Sequence, residues 1–299
     1  MDNLDRAPAD RHSNAKAWTD RYWHSGDGLT LHFRDYPGPD DRTPVIVLHG
    51  LTRNAREAAA TAERLAGARR VIAPEMRGRG MSDYASDSAT YTPLHYVADL
   101  KALLEQEGIE RFIAIGTSLG GLMTMLLALE QPELIAAAAL VDVGPEIDEE
   151  GIARIREYVG QGGSFPTWMH AARALQDIHG AVHPRFALDD WLAMAKRLMV
   201  LGANGRVAYD YDMRIAEPFH TDAAPPAADL WPAFEALRGR PLLLLRGETS
   251  AILSAQTARE MKRRLPELEL VTVPGTGHAP TLSEPESIVA IDALLAKVR

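Results

Sequence analysis

The chain contains no cysteine. That absence excludes a disulfide framework, a thiolate nucleophile and cysteine-ligated zinc. Nor is there an apolar run approaching the roughly 18–20 residues of a membrane span. Basic residues are in the minority: 32 Lys and Arg stand against 41 Asp and Glu, a net charge of -9. A nucleic-acid groove needs clustered cations, so this balance argues against one and leaves small-molecule partners open. Residues 1–14 are charged and polar, without the apolar core of a signal peptide. The expectation is a soluble cytoplasmic protein with no membrane and no nucleic-acid partner. Repeats and low-complexity tracts are absent too. Oligomeric state has no sequence signature.

What is present suits a globular fold. Of 299 residues, 46% are hydrophobic and 24% charged, which is ordinary for a soluble protein. A chain of this length can bury a large core, as one domain with an insertion or as two domains.

One stretch organises the rest. Residues 112–115, Phe-Ile-Ala-Ile, form a short, partly β-branched run suited to a strand covered on both faces. From Leu119 onward Leu, Met and Ala dominate, which favours helix. Between them lies Gly-x-Ser-x-Gly, filled by Gly116, Ser118 and Gly120. A serine forced into a sharp strand-to-helix turn leaves no room for side chains two residues to either side. Its hydroxyl is then lifted above the sheet edge at a helix N-terminus, where developing negative charge is favoured. The pattern alone is common; the strand before and helix after make it a nucleophile elbow.

Around this unit, strand and helix signals alternate. A hairpin is expected over residues 18–36, then strands over 44–48, 70–73 and 134–143, and helices over 55–65 and 96–107. Residues 144–230 carry helical pieces (149–159, 167–179, 188–201) and no strong strand signal, and are rich in aromatics and methionine. Alternation then resumes: helix 231–237, strand 241–246, helix 256–265, strand 268–273, helix 287–298. The expected fold is therefore α/β, a mostly parallel sheet of about eight strands with helices on both faces. Its expected division is a tail over 1–16, a core over 17–144 and 231–299, and an inserted helical cap over 145–230.

With these motifs in place, the sequence resembles the α/β-hydrolase superfamily, specifically its bacterial cap-bearing esterase, lactonase and C–C hydrolase branch. The resemblance runs from about residue 28 to 299. It rests on His49-Gly50, Arg77-Gly78-Arg79-Gly80-Met81-Ser82, Gly116-Thr117-Ser118-Leu119-Gly120 and Gly275-Thr276-Gly277-His278, in that order. It implies Ser118 as nucleophile and His278 as base, with the backbone amides of Leu51 and Leu119 as oxyanion donors. His49 is expected to support the oxyanion loop, and Arg77 and Arg79 to tether loops. His179 and His183 have metal-like spacing, but Gly180 and Pro184 spoil the helix that would align them, so no metal and no organic cofactor is expected.

The third triad member departs from the family pattern. The position that usually carries the acid, within residues 247–254, is Ala251, which cannot accept a hydrogen bond. Three readings follow, in order of preference. Ala251 marks an inactivating change in otherwise intact machinery; or Asp142, at the end of the preceding core strand, is the acid; or Glu248 is. Asp142 is the carboxylate carried forward as the candidate.

The implied activity is hydrolysis of a small, hydrophobic carboxylic ester or lactone through an acyl-enzyme on Ser118. Serine at the elbow argues against the dehalogenase and epoxide-hydrolase relatives, which use aspartate there. A C–C bond hydrolase of ring-cleavage products is the runner-up, and a ligand-binding pseudoenzyme is a third possibility fed by Ala251. Trp168, Met169, Trp191, Met194, Tyr209, Tyr211, Met213 and Phe219 are candidates to line an apolar pocket in the cap.

Overall fold

In the computed structural model, which describes residues 17–146, 149–219 and 229–299, the buried apolar runs become the centre of one eight-stranded sheet. Strands β1 (Thr19–His24) and β2 (Thr30–Tyr36) form the antiparallel hairpin at one edge. Strands β3 (Val45–Leu48), β4 (Val71–Glu75), β5 (Phe112–Thr117) and β6 (Ile135–Val141) follow. Strands β7 (Ser164–Phe165), β8 (Met199–Leu201) and β9 (Val207–Tyr209) lie apart, and β10 (Leu242–Gly247) and β11 (Glu269–Val273) complete the main sheet. Its order is β1-β2-β4-β3-β5-β6-β10-β11. From β4 to β11 every pairing is parallel.

Alternation along the central strands divides the core in two. Phe112 and Ala114 face a cluster with Leu100, Leu104, Met123 and Leu127, from helices α2 (Pro93–Gln106) and α3 (Leu119–Glu130). Ile113 and Ile115 face the other side, against Ala62, Leu65, Ile291 and Leu294. The first pair of these comes from α1 (Ala59–Leu65), and the second from the C-terminal helix over Pro285–Leu295. A strand buried on both faces has no polar side to show, which is why its sequence reads as a continuous apolar run.

The chain between β6 and β10, expected as a helical cap and called the cap below, holds strands as well as helices. It contains α4 (Glu149–Tyr158), α5 (Trp168–His179) and α6 (Leu188–Leu198), but also the antiparallel sheet β7-β9-β8. The helix expected over 188–201 stops at Leu198, and Met199–Leu201 pairs with β9 instead. Met, Val and Leu in three successive positions carry no period-2 signal; their strand state comes from a partner several residues away. Ala171, Leu175, Trp191, Ala195, Leu198 and Val207 make a separate small core within the cap.

Arg56, just after β3, pins the cap down: Nε donates to the Arg197 carbonyl (2.9 Å) and Nη1 to the buried Asp210 carboxylate (2.8 Å). The backbone adds Gly80 N to Asp210 O (3.0 Å) and Asp212 N to Gly78 O (2.8 Å). After the cap come α7 (Trp231–Glu235) and α8 (Ala255–Arg264), with α9 being the C-terminal helix named above. No helix among the described residues is long and apolar enough to cross a membrane. The expected tail, residues 1–16, lies outside the described residues.

Candidate active site

Ser118 sits where β5 turns into α3, with φ 51° and ψ -111°, a backbone state uncommon for a residue with a side chain. The flanking glycines make the turn possible. A Cβ on Gly116 would lie 2.4 Å from the Gly120 carbonyl carbon, and one on Gly120 would lie 2.3 Å from the Leu48 oxygen. The Ser118 amide donates to Val141 O (2.9 Å), which locks the elbow to the neighbouring strand.

His278 arrives on the loop after β11. Its Nε2 is 3.0 Å from Ser118 Oγ, and its Nδ1 is 2.8 Å from Asp142 Oδ2. The tautomer follows from the partners. An ionised carboxylate only accepts, so Nδ1 carries the proton and Nε2 is free to accept from the serine. Asp142 is fully buried, and its other oxygen accepts the Gly247 amide (2.9 Å). It too has positive φ, 55°, which aspartate tolerates better than most residues.

This arrangement differs from the order of preference drawn from the sequence. The imidazole already has a carboxylate partner, so Ala251 leaves nothing unpaired at Nδ1. Ala251 lines the same cavity but supplies no acceptor side chain. Glu248 is exposed and braces the histidine loop from outside, accepting the Gly275 amide (2.7 Å).

The oxyanion candidates are the Leu119 amide, directly after Ser118, and the Leu51 amide, whose residue lines the same cavity. The Leu119 amide is the first of α3 and so has no intrahelical acceptor by position. Leu51 lies in the loop after β3, and its carbonyl accepts both Nε (3.0 Å) and Nη2 (2.9 Å) of the fully buried Arg79. Arg79 also bonds the Arg77 carbonyl and lies 4.6 Å over the Tyr96 ring. Arg77 is clamped by Asp99 and Asp27. Both arginines are thus spent on loop architecture.

His49 braces the same loop. Its Nδ1–H donates to Gly50 O (2.7 Å) and its Nε2 accepts the Met76 amide (3.1 Å), which requires the neutral ring. Burial, reinforced by Arg79, pushes its pKa down to about 4. The unfolded chain takes up this proton near pH 6.5, whereas the folded one resists until about 4. The contribution of His49 is therefore intact above pH 6.5 and is lost as pH falls through that window, by about 3 kcal/mol. A urea-denaturation series at pH 7.5 and 5.0 should show a smaller acid loss for His49→Gln, whose amide oxygen can keep the Met76 bond without titrating. An equal loss in both proteins contradicts this.

A cavity of about 660 Å³ lies between the cap and the strand ends, with Ser118 and His278 in its wall. Of the expected pocket residues, Met194, Tyr209 and Tyr211 line it. Trp191 is instead buried in the cap's own core with Trp168 against it, Met169 is 39% exposed, and Met213 packs on the main core. Each of these is apolar enough to serve either role, and only helix orientation separates them. The Phe219 side chain lies outside the described residues. The sequence reading missed Arg53, Tyr158 and the cavity-facing placement of His179 and His183. Arg53 stands four residues past His49 in the oxyanion loop, a proximity that could have flagged it. Among the described residues no three His, Cys, Asp or Glu side chains converge as a metal site.

Comparison with known proteins agrees with the fold. Residues 43–285 match the family model described as alpha/beta hydrolase fold. A 3-hydroxybutyrate-oligomer hydrolase from Cupriavidus necator is 33% identical over 265 residues, 86% of this chain and 90% of that protein. A 2-(acetamidomethylene)succinate hydrolase from Mesorhizobium japonicum is 25% identical, over 81% of this chain and 84% of that protein. Among solved structures, an alpha/beta hydrolase from Novosphingobium aromaticivorans is 62% identical, with TM-score 0.92, covering 95% of this chain and 100% of that one. A family match over most of the chain, together with the sheet order, leaves one conclusion: the protein belongs to the alpha/beta hydrolase fold family and is a hydrolase of that type.

Proposed function

We propose that the protein is a serine hydrolase of small carboxylic esters or lactones, with Ser118, His278 and Asp142 as its triad. One observation carries this reading: the continuous chain of hydrogen bonds from Ser118 Oγ through His278 to Asp142, opening on a cavity. In the first half-reaction Ser118 Oγ attacks the carbonyl carbon while its proton passes to His278 Nε2. The oxygen that becomes negative is met by the Leu51 and Leu119 amides. The imidazolium is steadied by Asp142, then gives its proton to the departing alkoxide, leaving an acyl-Ser118. Water attacks that ester, passing its proton to His278, and the acid is released with the serine restored.

Ester cleavage also suits the oligoester substrate named for the Cupriavidus relative. A fluorophosphonate probe should label the protein at Ser118, and short p-nitrophenyl esters should be hydrolysed; Ser118→Ala should lose both. A protein that binds ligand yet resists the probe is instead a pseudoenzyme. Turnover of vinylogous diketones without ester turnover points to C–C hydrolysis.

A further inference from the structure

The cavity wall holds a cation, Arg53, whose side chain has no hydrogen bond among the described residues. Arg53 lies in the oxyanion loop, and its backbone N–H closes a turn onto Gly50 O (3.1 Å). The residue lines the same cavity as Ser118 and His278. A Cβ built on Gly50 would lie 3.3 Å from Arg53 Cγ and 3.9 Å from Ser118 Cβ, so the stem of Arg53 runs beside the nucleophile. The side chain is only 22% exposed, and its sole ion-pair partner among the described residues is Glu57, 3.9 Å from Nε. That is beyond hydrogen-bond reach, and none of the five guanidinium N–H groups is matched by an acceptor among the described residues.

The surroundings are rich in donors. Tyr158, Tyr209, His179 and His183 all line the cavity, and none of their side-chain polar atoms has a hydrogen bond among the described residues. Burial keeps both imidazoles neutral, with Arg53 adding to the effect, and each retains one N–H to give. Against these donors stand two carboxylates: Glu57, already facing Nε, and the exposed Glu157 at the rim. A guanidinium held at the cavity wall, with no acceptor on its outer edge among the described residues, is placed to receive an anionic group of a ligand.

We propose that Arg53 binds a carboxylate on the substrate, so that the preferred ester carries a free acid group a few carbons from its scissile carbonyl. This rests on the serine-hydrolase reading above and narrows it from neutral hydrophobic esters to acid-bearing ones. A planar carboxylate matches the guanidinium fork, and the neighbouring phenols and imidazoles can satisfy its remaining lone pairs. Because the contact is made before and during reaction alike, it acts chiefly through KM.

The test compares mono-p-nitrophenyl glutarate with p-nitrophenyl butyrate, two esters of similar size with the same leaving group. The ratio of their kcat/KM values should fall about 30-fold in Arg53→Gln and recover in part in Arg53→Lys, the size of a charged hydrogen bond. Competitive inhibition by glutarate should weaken and recover in the same order. A ratio within about threefold of wild type, or glutarate inhibition indifferent to residue 53, overturns the subsite. Should neither ester turn over and the fluorophosphonate fail, it is the hydrolase reading that falls. Calorimetric titration of glutarate into wild type and Arg53→Gln then decides the subsite by itself: binding confined to wild type supports it, and no difference refutes it.

Discussion

Replacing Asp142 with asparagine is expected to lower kcat on a p-nitrophenyl ester by about 10⁴-fold with little change in stability. The reason lies in which atoms the substitution keeps. Asn Oδ1 can still accept the Gly247 amide, now bonded to Asp142 Oδ1 (2.9 Å), and asparagine tolerates the φ of 55°. What changes is the atom facing His278 Nδ1, at present a carboxylate oxygen 2.8 Å away. An NH₂ group there can only donate, so the imidazole must move its proton to Nε2 and can no longer accept from Ser118. The imidazolium formed in the transition state also loses its countercharge. The companion experiment is Ala251→Asp. With Nδ1 already occupied, a carboxylate at 251 should change kcat by less than about tenfold. A rise of a hundredfold or more, or an Asp142→Asn variant of near-normal activity, would place the acid at 251 after all.

Gly120→Ala should be the most damaging single methyl added to the elbow. The new Cβ would lie 2.3 Å from the Leu48 oxygen and 2.7 Å from the Leu48 carbonyl carbon, and backbone cannot rotate aside as a side chain can. Leu48 ends β3, fully buried between β4 and β5, so relief requires α3 to lift off the sheet. The expected loss is at least about 3 kcal/mol, the upper end for overpacking, read as a shift in urea midpoint or as failure to recover soluble protein. Catalysis should fall with it, because lifting α3 moves the Leu119 amide and the serine together. A soluble, fully active Gly120→Ala protein would contradict the tight strand-to-helix contact on which the elbow depends.

Much of this molecule was legible locally. The Gly116–Ser118–Gly120 spacing, the apolar runs at β3, β5 and β6, and the glycine-bounded loop of His278 each state their own conformation, because steric and burial demands act between near neighbours. The acid was of another kind. Strands β6 and β10 run parallel with Val141 opposite Leu245, so residue 142 and the loop after β10 open at the same sheet edge. Either could deliver a carboxylate to the imidazole, and nothing along the chain chooses between them. The positive φ at Asp142 and the Gly247 amide make the choice in three dimensions.

The cap divides in the same way. Its helices follow from helix-forming composition, while strands of two or three residues such as β7 and β8 exist only because β9 lies alongside. So too with its aromatics: Trp191 and Tyr209 are alike as residue types, yet one is enclosed in the cap's core and the other faces the cavity. The sequence by itself determined the fold family, the elbow and the histidine loop, since those are written in short-range spacing. The carboxylate that meets the imidazole, the walls of the cavity and the placement of the Arg53 guanidinium among them were decided by tertiary structure, because each depends on which distant side chains the packing of cap on sheet brings face to face.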